Sequence, residues 1–172
     1  MKKLKREIME MMDSVVVALV VVMILFALVC RVYVVEGPSM EQTLHDGDRL
    51  VVSQLFYTPE QGDVVCFVEE KGDGSNKVLV KRVIATEGQT VDIRDETVYV
   101  NGVALQEDYV YNENAWVPSG ISYPYTVGED QVFCMGDHRD NSHDSRAIGA
   151  IDEKYLLGKV VFRLFPNMGV VD

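Results

Sequence analysis

The chain has 172 residues, of which 48 % are hydrophobic and 25 % charged, a balance that is typical of a folded protein and excludes an intrinsically disordered one. Its net charge is −11 at pH 7 and no basic stripe is visible, so nucleic acid is not an expected partner. Its three cysteines are too few for a disulfide framework. Cys66 and Cys134 lie in apolar runs and are expected to be buried thiols, although the sequence leaves a bridge between them open.

The N-terminal segment predicts a membrane anchor. Val15–Cys30 has 16 residues without a charge, which corresponds to roughly 24 Å of helix, and a basic cluster precedes it. A cleaved signal peptide is disfavoured because Ala27-Leu28-Val29-Cys30 contains no pair of small residues at the required spacing. The positive-inside rule places the N-terminus in the cytoplasm. We therefore expect a basic cytoplasmic segment over residues 1–13, a single-pass anchor over 14–31 and an extracytoplasmic domain over 32–172.

Beyond the anchor the hydrophobic pattern changes from helical to strand-like. Short runs rich in Val and Ile, separated by Gly, Asp, Asn or Pro, predict strands at Arg49–Ser53, Asp63–Val68, Lys77–Ala85, Thr90–Ile93, Thr97–Val100, Gln131–Met135 and Lys159–Phe165. Asn101-Gly102 is typical of a tight hairpin. Leu105–Pro124, which includes Trp116 and Pro118, is expected to be irregular and to wrap a sheet. The expected fold is mostly β, with one transmembrane helix followed by a β-sheet or barrel-like domain.

Two residues stand out for their local chemistry. Ser39 follows Gly37-Pro38, which can force a turn that presents the hydroxyl, although a serine in that setting is more often only a turn residue. Lys81 lies inside the apolar run Val78–Ile84. A buried ammonium loses its proton more easily and can then act as a base, whereas on an edge strand the same lysine would reach solvent. These residues alone leave both readings open.

A dense polar loop, Gly136–Arg146, follows the predicted strand that ends at Met135. Its Asp and His residues could hold a metal, but their spacing fits neither a helical zinc pair nor a calcium loop. A framework of carboxylates and guanidinium groups that supports a neighbouring site fits better. A Ser-His-Asp triad remains open, because the sequence does not show which of His45, His138 and His143 approaches Ser39.

In combination, four segments resemble the bacterial type I signal peptidases, and they follow one another in the family's order. Gly37–Leu44 is similar to the family's nucleophile box, Gly47–Val52 to the strand box, Lys81–Gly88 to the lysine box and Gly136–Gly149 to the last box. The last box, Gly-Asp-x-Arg-Asp-Asn-Ser-x-Asp-Ser-Arg, is the most specific of the four. The resemblance covers about residues 15–165.

The resemblance implies a role for each matching residue. Ser39 would be the nucleophile, Lys81 its general base, and Ser142 the residue that orients Lys81. The Ser39 backbone N–H would bind the oxyanion, and Gly37 is a further candidate at the position where many Gram-negative members carry a hydroxyl. Five residues match the family's structural support, namely Arg82, Asp137, Asn141, Asp144 and Arg146. Six match positions that line small apolar substrate pockets, namely Val35, Met40, Leu44, Leu50, Leu79 and Val80.

The function that this resemblance implies is removal of signal peptides from exported preproteins at the outer face of the cytoplasmic membrane. Cleavage after small residues, as in Ala-x-Ala, is expected, with preproteins and the lipid bilayer as partners and no metal or cofactor. Gln42 departs from the family's usual proline and Glu87-Gly88-Gln89 from its usual Pro-Gly-Asp, but neither departure touches Ser39, Lys81 or Ser142. Two alternatives are a non-catalytic, membrane-tethered peptide-binding paralogue and a Ser/Lys protease dedicated to one substrate, such as a pilin.

Overall fold

The computed structural model describes residues 2–70, 72, 74–111 and 120–171, without the side chains of residues 2–4 and 24–29. The chain divides into two compact units, Met1–Arg31 and Val32–Asp172. Trp116 and Pro118, which belong to the predicted irregular segment, lie outside the described residues.

The first unit is built on one helix, α1, which spans Lys2–Val29. Its apolar side chains between Val15 and Met23 are mostly exposed. Within the described part of the chain, no helix combines the length and the apolar character that crossing a membrane requires. The anchor over residues 14–31 is therefore not confirmed, and the side chains of 24–29 in its second half lie outside the described set.

The second unit is mostly β, as predicted. Among the described residues the chain has eleven strands, of which β1 begins two residues before this unit, and their bounds in chain order are β1 Cys30–Val34, β2 Arg49–Ser53, β3 Val64–Glu70, β4 Asn76–Thr86, β5 Thr90–Arg94, β6 Thr97–Val100, β7 Val103–Ala104, β8 Tyr125–Thr126, β9 Gln131–Met135, β10 Ile151–Asp152 and β11 Leu156–Phe165. One short helix, α2, spans Ser145–Ile148.

The larger sheet has the order β1-β2-β11-β3-β4-β9-β10, and the smaller has the order β7-β6-β5-β8. In the described residues the larger sheet therefore ends in two edge strands and is open, not closed like a barrel. The hairpin predicted at Asn101-Gly102 joins β6 to β7, and both turn residues have positive φ, as a tight hairpin turn demands. Cys66 and Cys134 are buried free thiols that belong to different apolar clusters, so no bridge joins them.

Strand β4 is the central element for the site. It is buried continuously from Leu79 to Ala85 because apolar clusters cover both of its faces. This explains why its sequence does not alternate between apolar and polar residues, and why Lys81 and Arg82 are each only 2 % exposed. Strand β9 pairs with β4 only from Arg82 onwards, so within the described part of the chain the stretch of β4 before Arg82 has one unpaired edge.

Candidate active site

The segment after β1 forms a tight turn that presents Ser39. Gly37 has φ of 86°, a left-handed conformation that favours glycine, and its N–H donates to Asp46 Oδ1 at 2.7 Å. After Ser39 the chain coils back, and the Leu44 N–H bonds to the Met40 carbonyl at 2.8 Å. The sequence prediction of a turn at Gly37-Pro38 therefore matches the structure.

Lys81 and Ser39 lie together although 42 positions separate them. The Lys81 Nζ lies 2.7 Å from Ser39 Oγ and 2.9 Å from the carbonyl oxygen of Val80. This is hydrogen-bonding distance for a base and the nucleophile that it activates. When Nζ is neutral, the direction of the bond reverses and the Ser39 hydroxyl donates to it.

Burial lowers the pKa of Lys81 from its ordinary value of 10.5 to about 8. The negative charge of Asp144, with a smaller contribution from Asp137, opposes this shift, and the positive charge of Lys77 adds to it. A substantial fraction of Lys81 is therefore neutral slightly above neutral pH, and only the neutral form can accept a proton.

The same burial predicts a stability effect. Between pH 8 and 10.5 the unfolded chain binds a proton at Lys81 that the folded chain does not, so the stability of the wild type rises with pH across this window. Below pH 8 the full cost of the buried charge remains. We expect Lys81→Met to increase the free energy of unfolding at pH 7 by about 1–3 kcal/mol. In urea titrations of both proteins, this advantage should shrink as the pH rises from 8 to 10.5. An advantage that does not change with pH would mean that Lys81 keeps its ordinary pKa.

Ser142 lies near this pair, but the structure does not show it bound to Lys81. Its Oγ is buried and has no partner at hydrogen-bonding geometry among the described residues. Its nearest neighbours include Gly136: a Cβ placed on that glycine would overlap Ser142 Oγ and the Ser39 carbonyl oxygen. Gly136 is therefore the spacer that lets the Ser142 loop approach the Ser39 turn.

Two buried ion pairs hold the polar loop. Arg82 donates to both carboxylate oxygens of Asp137, at 3.0 and 2.9 Å, and Thr43 donates to the same carboxylate at 2.5 Å. Arg146 donates to both oxygens of Asp144, at 2.9 and 2.8 Å. Because both pairs are bidentate and buried, they fix the orientation of the two carboxylates and also neutralise the buried charges.

Asp144 also joins the two ends of the loop, because the N–H of Gly136 donates to Asp144 Oδ2 at 2.9 Å. Burial favours the protonated acid, but the hydrogen bonds and positive charge of Arg146, together with the hydrogen bond from the Gly136 N–H, hold the pKa of Asp144 below its usual value. Asn141 is exposed and closes a turn through its N–H, which bonds to the His138 carbonyl at 3.1 Å.

The two candidate oxyanion donors, the N–H groups of Gly37 and Ser39, differ in whether another group already binds them. Asp46 already engages the Gly37 N–H, so in this conformation Gly37 is not available to an oxyanion. No hydrogen bond between described residues uses the Ser39 N–H, which is therefore free to donate.

Beside the Ser39–Lys81 pair lies a cavity of about 20 Å³, which is room for little more than a methyl group or a water molecule. Four of the six predicted pocket residues line it, namely Val35, Met40, Leu79 and Val80. The other two, Leu44 and Leu50, are fully buried and do not line it; they belong to the apolar cluster that also contains Val35, Met40 and Val80. The sequence pattern could not separate the wall of the cavity from the core behind it, since both are apolar.

The histidines contact other groups. His138 Nδ1 lies 3.2 Å from the Pro38 carbonyl oxygen and 3.5 Å from Glu41, while His143 Nε2 lies 2.8 Å from Glu69. His45 is exposed. Among the described residues, no three His, Cys, Asp or Glu side chains are gathered as they would be around a metal ion.

Sequence reasoning missed two residues of the network. Arg139 is fully buried, and Glu107 holds it through two hydrogen bonds. Arg139 could have been suspected from its place in the polar loop. Glu107 lies in an irregular segment without periodicity, 32 positions away, and no sequence signal marks it.

Comparison with known proteins shows which family the chain resembles over most of its length. The family described as "Signal peptidase, peptidase S26" matches residues 8–165. The chain is 36 % identical over 173 residues to "Signal peptidase I" of Bacillus licheniformis, covering 94 % of this chain and 91 % of that protein. It is 34 % identical over 180 residues to "Signal peptidase IB" of Staphylococcus aureus, covering 95 % and 92 %. The crystal structure of a signal peptidase I from Enterococcus faecalis superposes with a TM-score of 0.50 at 31 % identity, covering 60 % of this chain and 97 % of that one.

Proposed function

The chain belongs to the signal peptidase family, peptidase S26, and from its membership we propose that it removes signal peptides from exported preproteins with a Ser39–Lys81 dyad. As a member it is a serine endopeptidase. The observation that carries the dyad is the distance of 2.7 Å between Lys81 Nζ and Ser39 Oγ in a buried, apolar setting. Such a setting favours the neutral amine that a general base requires.

In this mechanism neutral Lys81 takes the proton of the Ser39 hydroxyl while Oγ attacks the scissile carbonyl. The negative oxygen that forms accepts a hydrogen bond from the Ser39 N–H. Protonated Lys81 then gives its proton to the departing amine, and an ester of Ser39 remains. Water, deprotonated by Lys81, hydrolyses this ester and restores the hydroxyl.

The substrate is proposed to bind as an added strand. Residues from two segments, Val34–Val35 before Ser39 and Val78–Val80 before Lys81, line the same cavity. Among the described residues, no strand pairs with the Val78–Val80 stretch on the side where β9 begins only at Arg82. A peptide lying along this free edge could exchange backbone hydrogen bonds with it and place alternate side chains in the cavity.

Cavity size supports selection of small residues such as the alanines of Ala-x-Ala. We expect that replacing the alanine just before the cut with leucine will lower kcat/KM by at least about 100-fold, because three further carbons do not fit a space of about 20 Å³. Glycine or serine there should be tolerated within about tenfold.

A panel of ordinary preproteins, each with alanine, glycine, serine or leucine before the cut, measures this preference. Cleavage of the leucine series at the alanine rate would contradict the proposed pocket. Cleavage of a single surface protein and no other member of the panel would indicate a dedicated protease instead.

Residues 14–31 are proposed as the anchor that keeps the site at the outer face of the cytoplasmic membrane, with residues 1–13 inside the cell. The support is the uncharged run Val15–Cys30 behind a basic cluster. Such an anchor would raise the effective concentration of substrates, since signal peptides are held in the same bilayer.

A further inference from the structure

Leu105–Tyr111, here called the strap, follows β7 and contacts the polar loop at two points and β4 at a third. The Glu107 carboxylate accepts hydrogen bonds from Arg139 of the loop, and the Tyr111 N–H donates to the Asp137 carbonyl at 3.0 Å. The Tyr109 ring covers the guanidinium of Arg82, on β4, at 4.0 Å. The strap therefore lies against both buried cations, Arg139 of the loop and Arg82 of β4.

Glu107 is central to these contacts. Arg139 Nη1 donates to Oε2 at 2.9 Å, Nη2 donates to Oε1, and the Tyr109 hydroxyl donates to Oε1 at 3.0 Å. The Arg139 side chain is only 1 % exposed and that of Glu107 13 % exposed. A guanidinium so far from water requires a carboxylate partner, and Glu107 is the partner that the structure shows.

Arg139 connects Glu107 to the backbone beside Ser39. Its Nε donates to the Gly136 carbonyl at 3.1 Å, and Gly136 packs directly against Ser142 Oγ and the Ser39 carbonyl oxygen. The His138 N–H also donates to that carbonyl of Ser39 at 3.1 Å. A shift of Arg139 would therefore move the backbone against which the Ser39 turn rests.

From these contacts we infer that Glu107 is a positioning residue: through Arg139 and Gly136 it sets the place of Ser39 and Ser142 relative to Lys81. The inference rests on the proposed Ser39–Lys81 function. It differs from a general stabilising role because Glu107 would govern the rate of the chemical step and not only the folded fraction.

Glu107→Gln tests this inference in the full chain in detergent, with a fluorogenic peptide that ends its signal segment in Ala-x-Ala. We expect kcat per folded molecule to fall about 10- to 100-fold while KM stays within about twofold, because small misplacements of reacting groups cost rate without costing binding. Asp108→Asn is the matched control, since it removes an exposed carboxylate from the next position of the strap and should leave kcat unchanged. Lys159→Met, which breaks the ion pair with Asp63 away from the loop, controls for loss of an ion pair.

The folded fraction of each variant is measured by near-ultraviolet circular dichroism at the assay temperature, and the assay is cooled if Glu107→Gln is partly unfolded. Wild-type kcat per folded molecule for Glu107→Gln would overturn the inference and leave Glu107 a purely stabilising residue. A loss of the same size in Lys159→Met would overturn it as well.

A double variant asks whether Glu107 acts through Arg139. If it does, Glu107→Gln combined with Arg139→Lys should be no slower than the slower single variant. Losses that multiply would mean that Glu107 acts independently and would overturn the route through Arg139. The Ser39→Ala variant separates failure of this inference from failure of the proposed function, because cleavage by Ser39→Ala would contradict the Ser39–Lys81 dyad itself.

Discussion

Ser39→Ala is expected to lose signal-peptide cleavage almost completely, with kcat falling by at least about 10³-fold. The reason is chemical: alanine has no atom that can attack the scissile carbonyl, and the base Lys81, 2.7 Å from the lost oxygen, has no proton to take. Removing one oxygen leaves the turn that Gly37 and Asp46 hold in place, so binding of the substrate should survive. Single-turnover assays with a labelled preprotein would measure the loss.

The matched control is Ser53→Ala, at the end of β2. This serine is partly buried, as Ser39 is, and its hydroxyl bonds with no described residue except through a long hydrogen bond of 3.4 Å from the Leu55 N–H. We expect it to keep wild-type kcat. Cleavage by Ser39→Ala at the wild-type rate would refute the nucleophile and favour one of the open alternatives. Binding of the uncleaved preprotein by Ser39→Ala would show that the variant keeps an intact site.

The strands show what the sequence could predict. Arg49–Ser53, Thr97–Val100 and Gln131–Met135 have the predicted bounds, because Val-rich runs between turn residues leave no other element available. Strand β11 begins three residues before its predicted start at Lys159. Gly158 lies within the strand: it has φ of 133° and lies so close to the Ser53 carbonyl that only glycine fits there. The strands β8 and β10, of two residues each, are too short to show any periodicity.

The candidate site shows what the sequence could predict only in part. Ser39, Lys81 and Ser142 could be proposed from the sequence because each lies in a short contiguous motif on which the family resemblance rests. Glu107 and Asp46 could not, because each acts through a contact between segments, and such pairing depends on the fold. The hydrogen bond from the Gly37 N–H to Asp46 likewise depends on the fold, so the sequence did not predict it. Because this bond occupies the Gly37 N–H, a second oxyanion donor is expected at another residue.

The pH dependence of kcat/KM is the second large effect that we expect. Because only neutral Lys81 can take the Ser39 proton, kcat/KM should rise about tenfold per pH unit below the Lys81 pKa of about 8 and level off above it. Between pH 6 and pH 9 this amounts to roughly a 100-fold increase. Initial rates with an uncharged peptide substrate, in buffers of constant ionic strength, would give the profile.

Two substitutions at the same position separate the base from the other roles of its side chain. Lys81→Arg keeps a long cationic chain but cannot lose its proton near neutral pH, and Lys81→Met keeps the apolar stem without the amine. We expect both to lose at least about 10³-fold in kcat at every pH, including pH 9, where the wild type is fastest. A profile that stays flat from pH 6 to 9, or substantial activity in Lys81→Arg, would show that another group takes the proton. The depressed pKa of Lys81 and its short distance to Ser39 both depend on its buried position on β4, so this one position would supply both the reactivity of the proposed base and its reach to the proposed nucleophile.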